Sequence, residues 1–154
     1  MRKSRLFWRF VALVLAVATS CTDEKEVVLP DYIGCWQLVS YCGAPTEVDL
    51  YLQFKVDGKF TILQRNDTLG YAEYNGTYIS NEESYTLSGA YNDGQKWACD
   101  YMYRVSDESK QELILTSANE NAEVSVYKSV KAMPSGGIVN TICSVVETEN
   151  KKPL

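Results

Sequence analysis

Residues 48–65 set the register from which the rest of the chain can be read. Val48, Leu50, Leu52 and Phe54 alternate with Asp49, Tyr51, Gln53 and Lys55, which is the period-2 pattern of a strand with one dry face and one wet face. Phe60 and Ile62 follow a turn and must share the dry face. A two-residue loop at Asp57-Gly58 would set Phe54 opposite Thr61 and drive the apolar faces apart. A three-residue loop, Val56-Asp57-Gly58 with Gly58 left-handed, pairs Phe54 with Phe60 and Leu52 with Ile62. That is the predicted register.

Similar alternation recurs along the chain. In 33–41, Trp36 and Leu38 point one way and Cys35, Val39 and Tyr41 the other, until Gly43-Ala44-Pro45-Thr46 breaks the run. Residues 64–70 read as a polar connection. Ala72, Tyr74, Gly76 and Tyr78 then form an alternating set, and a turn at 81–83 leads into 85–89, with Tyr85 and Leu87 on one face. Beyond Asn92-Asp93-Gly94, residues 96–105 place Trp97, Cys99, Tyr101, Tyr103 and Val105 on one side. A charged turn at 106–111 precedes a last pair of strands, 112–117 and 123–130. Eight short strands at turn spacings of roughly 8 to 14 residues, with no helix between them, imply antiparallel neighbours in up-and-down order. Eight such strands close into a barrel, which removes both open edges. The predicted fold is therefore all-β, an eight-stranded antiparallel up-and-down barrel over 32–131. The rival is an immunoglobulin-like sandwich, which wants a tryptophan between distant cysteines, whereas Trp36 directly follows Cys35. In the extension 132–154, residues 138–146 favour a strand by their β-branched content. Ile138, Ile142 and Val145 also fit a helical stripe, and 147–154 read as a polar tail.

The first twenty residues stand apart. Arg2, Lys3, Arg5 and Arg9 precede a short apolar run that ends in Thr19-Ser20-Cys21. A basic start, a greasy stretch too short to span a bilayer comfortably and small residues at the end describe a secretion signal over 1–20. The Ala18-Thr19-Ser20-Cys21 junction resembles a bacterial lipobox, departing from it at Ala18 where leucine is usual. The resemblance implies cleavage before Cys21 and acyl chains on it, enough to anchor the domain to a membrane without spanning it. Residues 21–31 form an acidic linker. Its Thr22-Asp23-Glu24-Lys25-Glu26 is similar to tracts that send lipoproteins of Gram-negative bacteria to the outer face of the outer membrane, and it also reads as a plain solvated spacer. The expected address is the outer membrane, lipid-anchored, with the cell-surface face favoured over the periplasmic one.

Charge narrows the partners. The full chain carries −5, and loss of the four signal-peptide cations takes it to −9, so nucleic acid is a poor partner. With Cys21 acylated, Cys35, Cys42, Cys99 and Cys143 remain. In an exported protein this even set is a candidate for two disulfides with three connectivities, and free buried thiols are the alternative. No C-x-x-C pair and no histidine occur, so no metal site, cofactor or ordinary general base is expected. No nucleophile elbow or phosphate loop appears, and paired acids such as Glu82-Glu83 sit in polar turns. Catalytic residues are not expected.

Gly34-Cys35-Trp36, the hairpin from Phe54 to Phe60, Gly76-Thr77-Tyr78 and the closing Tyr127-Lys128 resemble the lipocalin-like domains of bacterial lipoproteins over about 33–131. In that family a tryptophan plugs one barrel end and a basic side chain packs over it. The resemblance implies that Trp36 and Lys128 form this pair, Lys128 sharing parity with Val124 and Val126, although lysine stands where the family usually has arginine. It also implies a cavity for a small apolar or amphipathic molecule. Composition adds a matching supply of aromatic residues. Tyr74, Tyr78, Tyr85, Trp97, Tyr101 and Tyr103 are the candidate lining. The same residues would also serve as ordinary filling of a solid barrel. The expected function is non-catalytic ligand binding by a monomer. The alternative is an interaction or inhibitor module of the cell envelope, filled inside, with an exposed aromatic patch around Tyr91.

Overall fold

A computed structural model describes residues 29–67, 70–106, 109–135 and 152–154. The expected signal peptide over 1–20, Cys21, residues 21–28 of the linker, Cys143 and the segment 138–146 lie outside the described residues.

Among the described residues the alternation of the chain produces nine strands: β1 Gly34–Tyr41, β2 Ala44–Pro45, β3 Leu50–Phe54, β4 Lys59–Asp67, β5 Gly70–Asn81, β6 Thr86–Tyr91, β7 Tyr101–Val105, β8 Glu112–Ser117 and β9 Val124–Val130. Each long strand pairs antiparallel with the next, and β1 closes the circle on β9. The two-residue β2 folds back on the end of β1 through Cys42 and Gly43, both at positive φ. Eight strands thus make a closed up-and-down barrel, the architecture of lipocalins. The β1–β9 ladder excludes the two-sheet sandwich. Among the described residues there is no helix.

The β3–β4 hairpin has the expected register. Phe54 lies opposite Phe60 and Leu52 opposite Ile62. Gly58 takes φ 75° in the three-residue loop, where an L side chain would be strained. Leu52, Phe54, Phe60 and Ile62 are all essentially fully buried. Val48 does not share their face; it precedes β3 and is exposed.

Two inward-facing glycines decide how the interior fills. A Cβ on Gly76 would stand 2.6 Å from the Phe60 ring, and one on Gly89 would stand 2.5 Å from the Trp97 indole. Both rings therefore lie flush on β5 and β6 backbone, 5.2 Å apart between centroids. The remaining space is taken by Trp36, Leu87, Leu113, Leu115, Tyr78, Tyr91 and Tyr127, all buried in one core. An eight-stranded barrel is just wide enough for such filling.

Several local expectations are corrected. Residues 64–67 continue β4 rather than forming a loop, because Arg65 pairs with Tyr71 across the ladder. Arg65 donates to Asp49 (2.9 Å) and Tyr71 (2.8 Å), and the Tyr71 hydroxyl donates to Asp49 (2.6 Å). This polar cluster holds a segment that has no apolar alternation. The expected strand 96–105 begins as β7 only at Tyr101. Between the Leu87–Tyr101 pair and the Ala90–Lys96 bridge, three steps along β6 face five on the other side. Two extra residues make a bulge and preserve parity, so Trp97 still faces inward. Val39 is skipped in the β1–β9 pairing, a one-residue irregularity late in β1. Cys35, Cys42 and Cys99 are free thiols, so no disulfide forms among the described residues. Cys35 accepts a hydrogen bond from Gln53 (3.3 Å) and Cys42 sits exposed in the β1–β2 turn.

The glycine contacts yield a quantitative expectation. Gly89→Ala forces a methyl group against the Trp97 indole and the Thr77 carbonyl, and overpacking of this kind costs about 1–3 kcal/mol. Urea unfolding should show a lower midpoint with an unchanged slope, while an alanine at the exposed position of Glu120 should leave stability within about 0.5 kcal/mol of the parent.

Candidate functional site

The six aromatic residues expected to line one cavity separate into two groups. The first gathers around Tyr32, just before β1. Its ring meets Phe54 at 5.8 Å, Tyr78 at 6.0 Å and Tyr103 at 4.8 Å, each edge-on. Tyr32 is buried, its carbonyl accepts the Trp36 indole N–H at 2.8 Å, and Tyr78 donates to the Lys55 carbonyl at 2.7 Å. These side chains seal the end of the barrel where β1 enters.

Over this seal lies a groove of about 960 Å³, near the upper end of the range for small-molecule sites. The segment before β1 contributes Leu29, Pro30 and Asp31, the β5–β6 turn contributes Glu82, Ser84 and Tyr85, and β7 contributes Met102, Tyr103, Arg104 and Val105. Leu29, Tyr85 and Met102 are large apolar or aromatic residues left about half exposed or more. Asp31 is held by Lys110 at 2.7 Å, which ties the linker to the β7–β8 turn.

Tyr85 is the unusual member. It was expected to share an inward face with Leu87, yet Leu87 is fully buried while Tyr85 lies outside β6 and is 62% exposed. The cause is local. Asn81 caps the turn by accepting from the backbone of Glu83 (3.0 Å) and Ser84 (3.2 Å), and Tyr85 closes it at φ 52°. That left-handed position turns the side chain out of the strand's alternation and is one that glycine fills at least cost. A tyrosine there pays strain and presents its ring to the groove, 5.8 Å from Tyr103.

The second group surrounds Phe60. Tyr91 meets Phe60 at 5.5 Å and Tyr74 at 6.2 Å, and Trp97 meets Phe60 at 5.2 Å and Tyr101 at 6.0 Å. Tyr74, Tyr78, Trp97 and Tyr101 do not line the groove; of the six candidates, Tyr85 and Tyr103 do. Tyr91 is buried, which corrects its expected place in an exposed patch. Its parity with Leu87 and Gly89 along β6 was the signal for this.

Trp36 occupies the barrel end, but Lys128 does not pack over it. Lys128 is exposed and pairs with Gln37, while Ser129 stands opposite Trp36. The inward residue of β9 is Tyr127, opposite Leu38 and Leu113. Val124, Val126 and Lys128 lie on the outer face, so counting apolar residues selects the wrong parity. Among the described residues no group of histidine, cysteine, aspartate or glutamate could hold a metal ion.

No protein-family profile and no curated protein sequence matches the chain. Solved structures with a similar fold include a lipocalin-like protein from Bacteroides uniformis, with 22% identity, 66% of this chain and all of that one covered, and a TM-score of 0.49. An uncharacterized protein from Bacteroides eggerthii has 16% identity, 65% and 100% coverage and a TM-score of 0.49. A DUF4847 family protein from Bacteroides vulgatus has 14% identity, 67% and 96% coverage and a TM-score of 0.47. At these identities no ligand or activity passes from them to this chain.

Burial suppresses the ionisation of the interior phenols and raises their pKa. Tyr91 is pushed up from 10.0 to about 12, chiefly by burial and against a lowering bond to the Leu154 backbone, and burial likewise pushes Tyr78, Tyr101 and Tyr127 up. These acids are held protonated in the fold, so their contribution is complete below pH 10, the unfolded value, and is lost as pH rises through the folded values. Stability should therefore fall from pH 10 upward. Tyrosinate absorbance at 295 nm should show a fraction of the phenols titrating only with unfolding; full titration of a still-folded barrel at pH 10 would contradict the burial.

Proposed function

We propose that this protein is an exported, lipid-anchored barrel that binds a small amphipathic molecule, without catalysis, in the groove beside Tyr85 and Tyr103. The observation that carries the reading is Tyr85 itself, an aromatic ring held in a left-handed turn position and turned toward an open, mostly apolar groove. An apolar body fits against Leu29, Met102 and Val105, and a polar head meets Asp31, Glu82, Ser84 and Arg104, which carry both signs. The packed interior moves the expected ligand from the middle of the barrel to its mouth.

Anchoring at Cys21 makes this placement useful. Eight Cα-to-Cα steps separate Cys21 from Leu29, and at about 3.5 Å per step the tether reaches at most about 28 Å. The groove then stays within a bilayer's thickness of the acyl chains, where amphiphiles concentrate. Outer-membrane placement follows from the lipobox-like junction and the acidic tract, and a monomer suffices because one chain supplies the whole groove. The packed interior also favours a second reading, docking of another envelope protein in the same groove, in which case small amphiphiles do not compete.

Titration of the intact soluble domain with N-phenyl-1-naphthylamine should give saturable, single-site fluorescence enhancement. In Tyr85→Gly, relief of the left-handed strain (about 1–2 kcal/mol) offsets glycine's entropy cost and the lost ring contact. Stability should stay within about 1 kcal/mol of the parent while probe affinity falls tenfold or more. Unsaturable uptake, or equal affinity in Tyr85→Gly, defeats the groove as a ligand site. Separately, Cys21→Ser in the host should move the protein from the membrane fraction to the soluble fraction; retention in the membrane contradicts the lipid anchor.

A further inference from the structure

Residues 152–154, expected to belong to a polar tail, reach into the core. Leu154 is 7% exposed and is part of the same contiguous hydrophobic cluster as Phe60, Tyr91 and Trp97. The Tyr91 hydroxyl serves it twice, accepting from the Leu154 backbone N–H at 3.0 Å and lying 3.1 Å from the Leu154 carbonyl, to which it donates. Lys152 stacks its ammonium 4.5 Å from the centre of the Tyr91 ring and pairs with Asp93. One short segment thus converges on a single tyrosine at the end of β6.

The attachment differs in kind from that of every other core residue in the strands. Leu50, Leu87 or Leu113 cannot leave without breaking ladder hydrogen bonds, whereas among the described residues the backbone of Leu154 bonds to one side-chain hydroxyl. The neighbourhood also holds an unmet polar group. The Trp97 indole N–H is buried and has no hydrogen-bond partner among the described residues, and Trp97 shares Phe60 as a ring neighbour with Tyr91. Buried donors are seldom left unpaired, and each one left so is costly. With Leu154 withdrawn, the Tyr91 hydroxyl would lose both of its Leu154 partners and stand open beside apolar rings.

We propose that residues 152–154 form a displaceable plug, and that the aromatic seat under it, headed by Tyr91 and continued through Phe60 to Trp97, is a second binding site for an amphipathic molecule with an aliphatic body and a hydrogen-bonding head. Leu154 supplies the aliphatic body in the closed state, and its main-chain N–H and oxygen supply the head. The Lys152–Asp93 pair and the stacking on Tyr91 act as the catch. This site is separate from the Tyr85 groove and does not depend on it.

Hydrogen exchange of the indole N–H groups in the full, ¹⁵N-labelled chain tests the plug, with the Trp36 indole, bonded to Tyr32, as the internal control. Leu154→Ser should speed Trp97 exchange at least tenfold and leave Trp36 unchanged, and saturating 1-octanol, an aliphatic probe with a hydroxyl head, should slow Trp97 exchange again. Lys152→Ala, which leaves Leu154 in place, should give a smaller change in the same direction. If both indoles speed up together, Leu154 is an ordinary core residue and the proposal falls. It falls equally if Trp97 exchange is unchanged in both variants, or if the probe fails to restore protection. Loss of N-phenyl-1-naphthylamine binding in Tyr85→Gly bears on the groove alone and leaves these outcomes intact.

Discussion

Closure of β1 on β9 is the constraint from which the rest of the molecule follows. With β3 on its other side, β1 has no free margin, and a sheet without margins has a single inside. Alternate side chains from eight strands must share that volume. The cylinder is narrow, so large rings fit only where the wall is thin, and Gly76 and Gly89 thin it under Phe60 and Trp97. Filling of the middle then leaves open space at the ends. The groove over Tyr32 and the seat under Leu154 are the two consequences of one packing solution.

Much of this was legible in the chain because strand parity is a local, two-residue signal. Leu52, Phe54, Phe60 and Ile62 specify both faces and the loop between them, since only a three-residue turn brings their faces together. The number and order of long strands follow from turn spacing in the same way. Parity fails where apolar residues do not mark the inside. In β9, Val124 and Val126 sit outside and Tyr127 alone is the large inward residue, so Lys128 was assigned to the wrong face. β4 runs on through Gln64 and Arg65 because Asp49 and Tyr71 hold Arg65, and such cross-strand polar bonds leave no periodic trace.

The candidate site was less legible because it is assembled from non-local contacts. Tyr103 and Tyr85 were recognised as aromatic candidates, but the turn that expels Tyr85 from its strand depends on the Asn81 cap and a positive φ. Leu29 and Met102 are single exposed apolar residues with no pattern around them, and they acquire meaning only when the linker and β7 meet. Leu154 is the extreme case. Nothing in its polar neighbourhood marks it as a core residue; its partner, Tyr91, is 63 positions away.

Cross-strand nuclear Overhauser contacts between β1 and β9 test the closed, filled cylinder most directly. Backbone contacts linking Trp36 with Ser129 and Leu38 with Tyr127, together with slow amide exchange along both strands, are the predicted result. Absence of these contacts, with rapidly exchanging amides along β1 on the side facing β9, would mean an open sheet with free edges and would contradict both the filled interior and the two end sites built upon it.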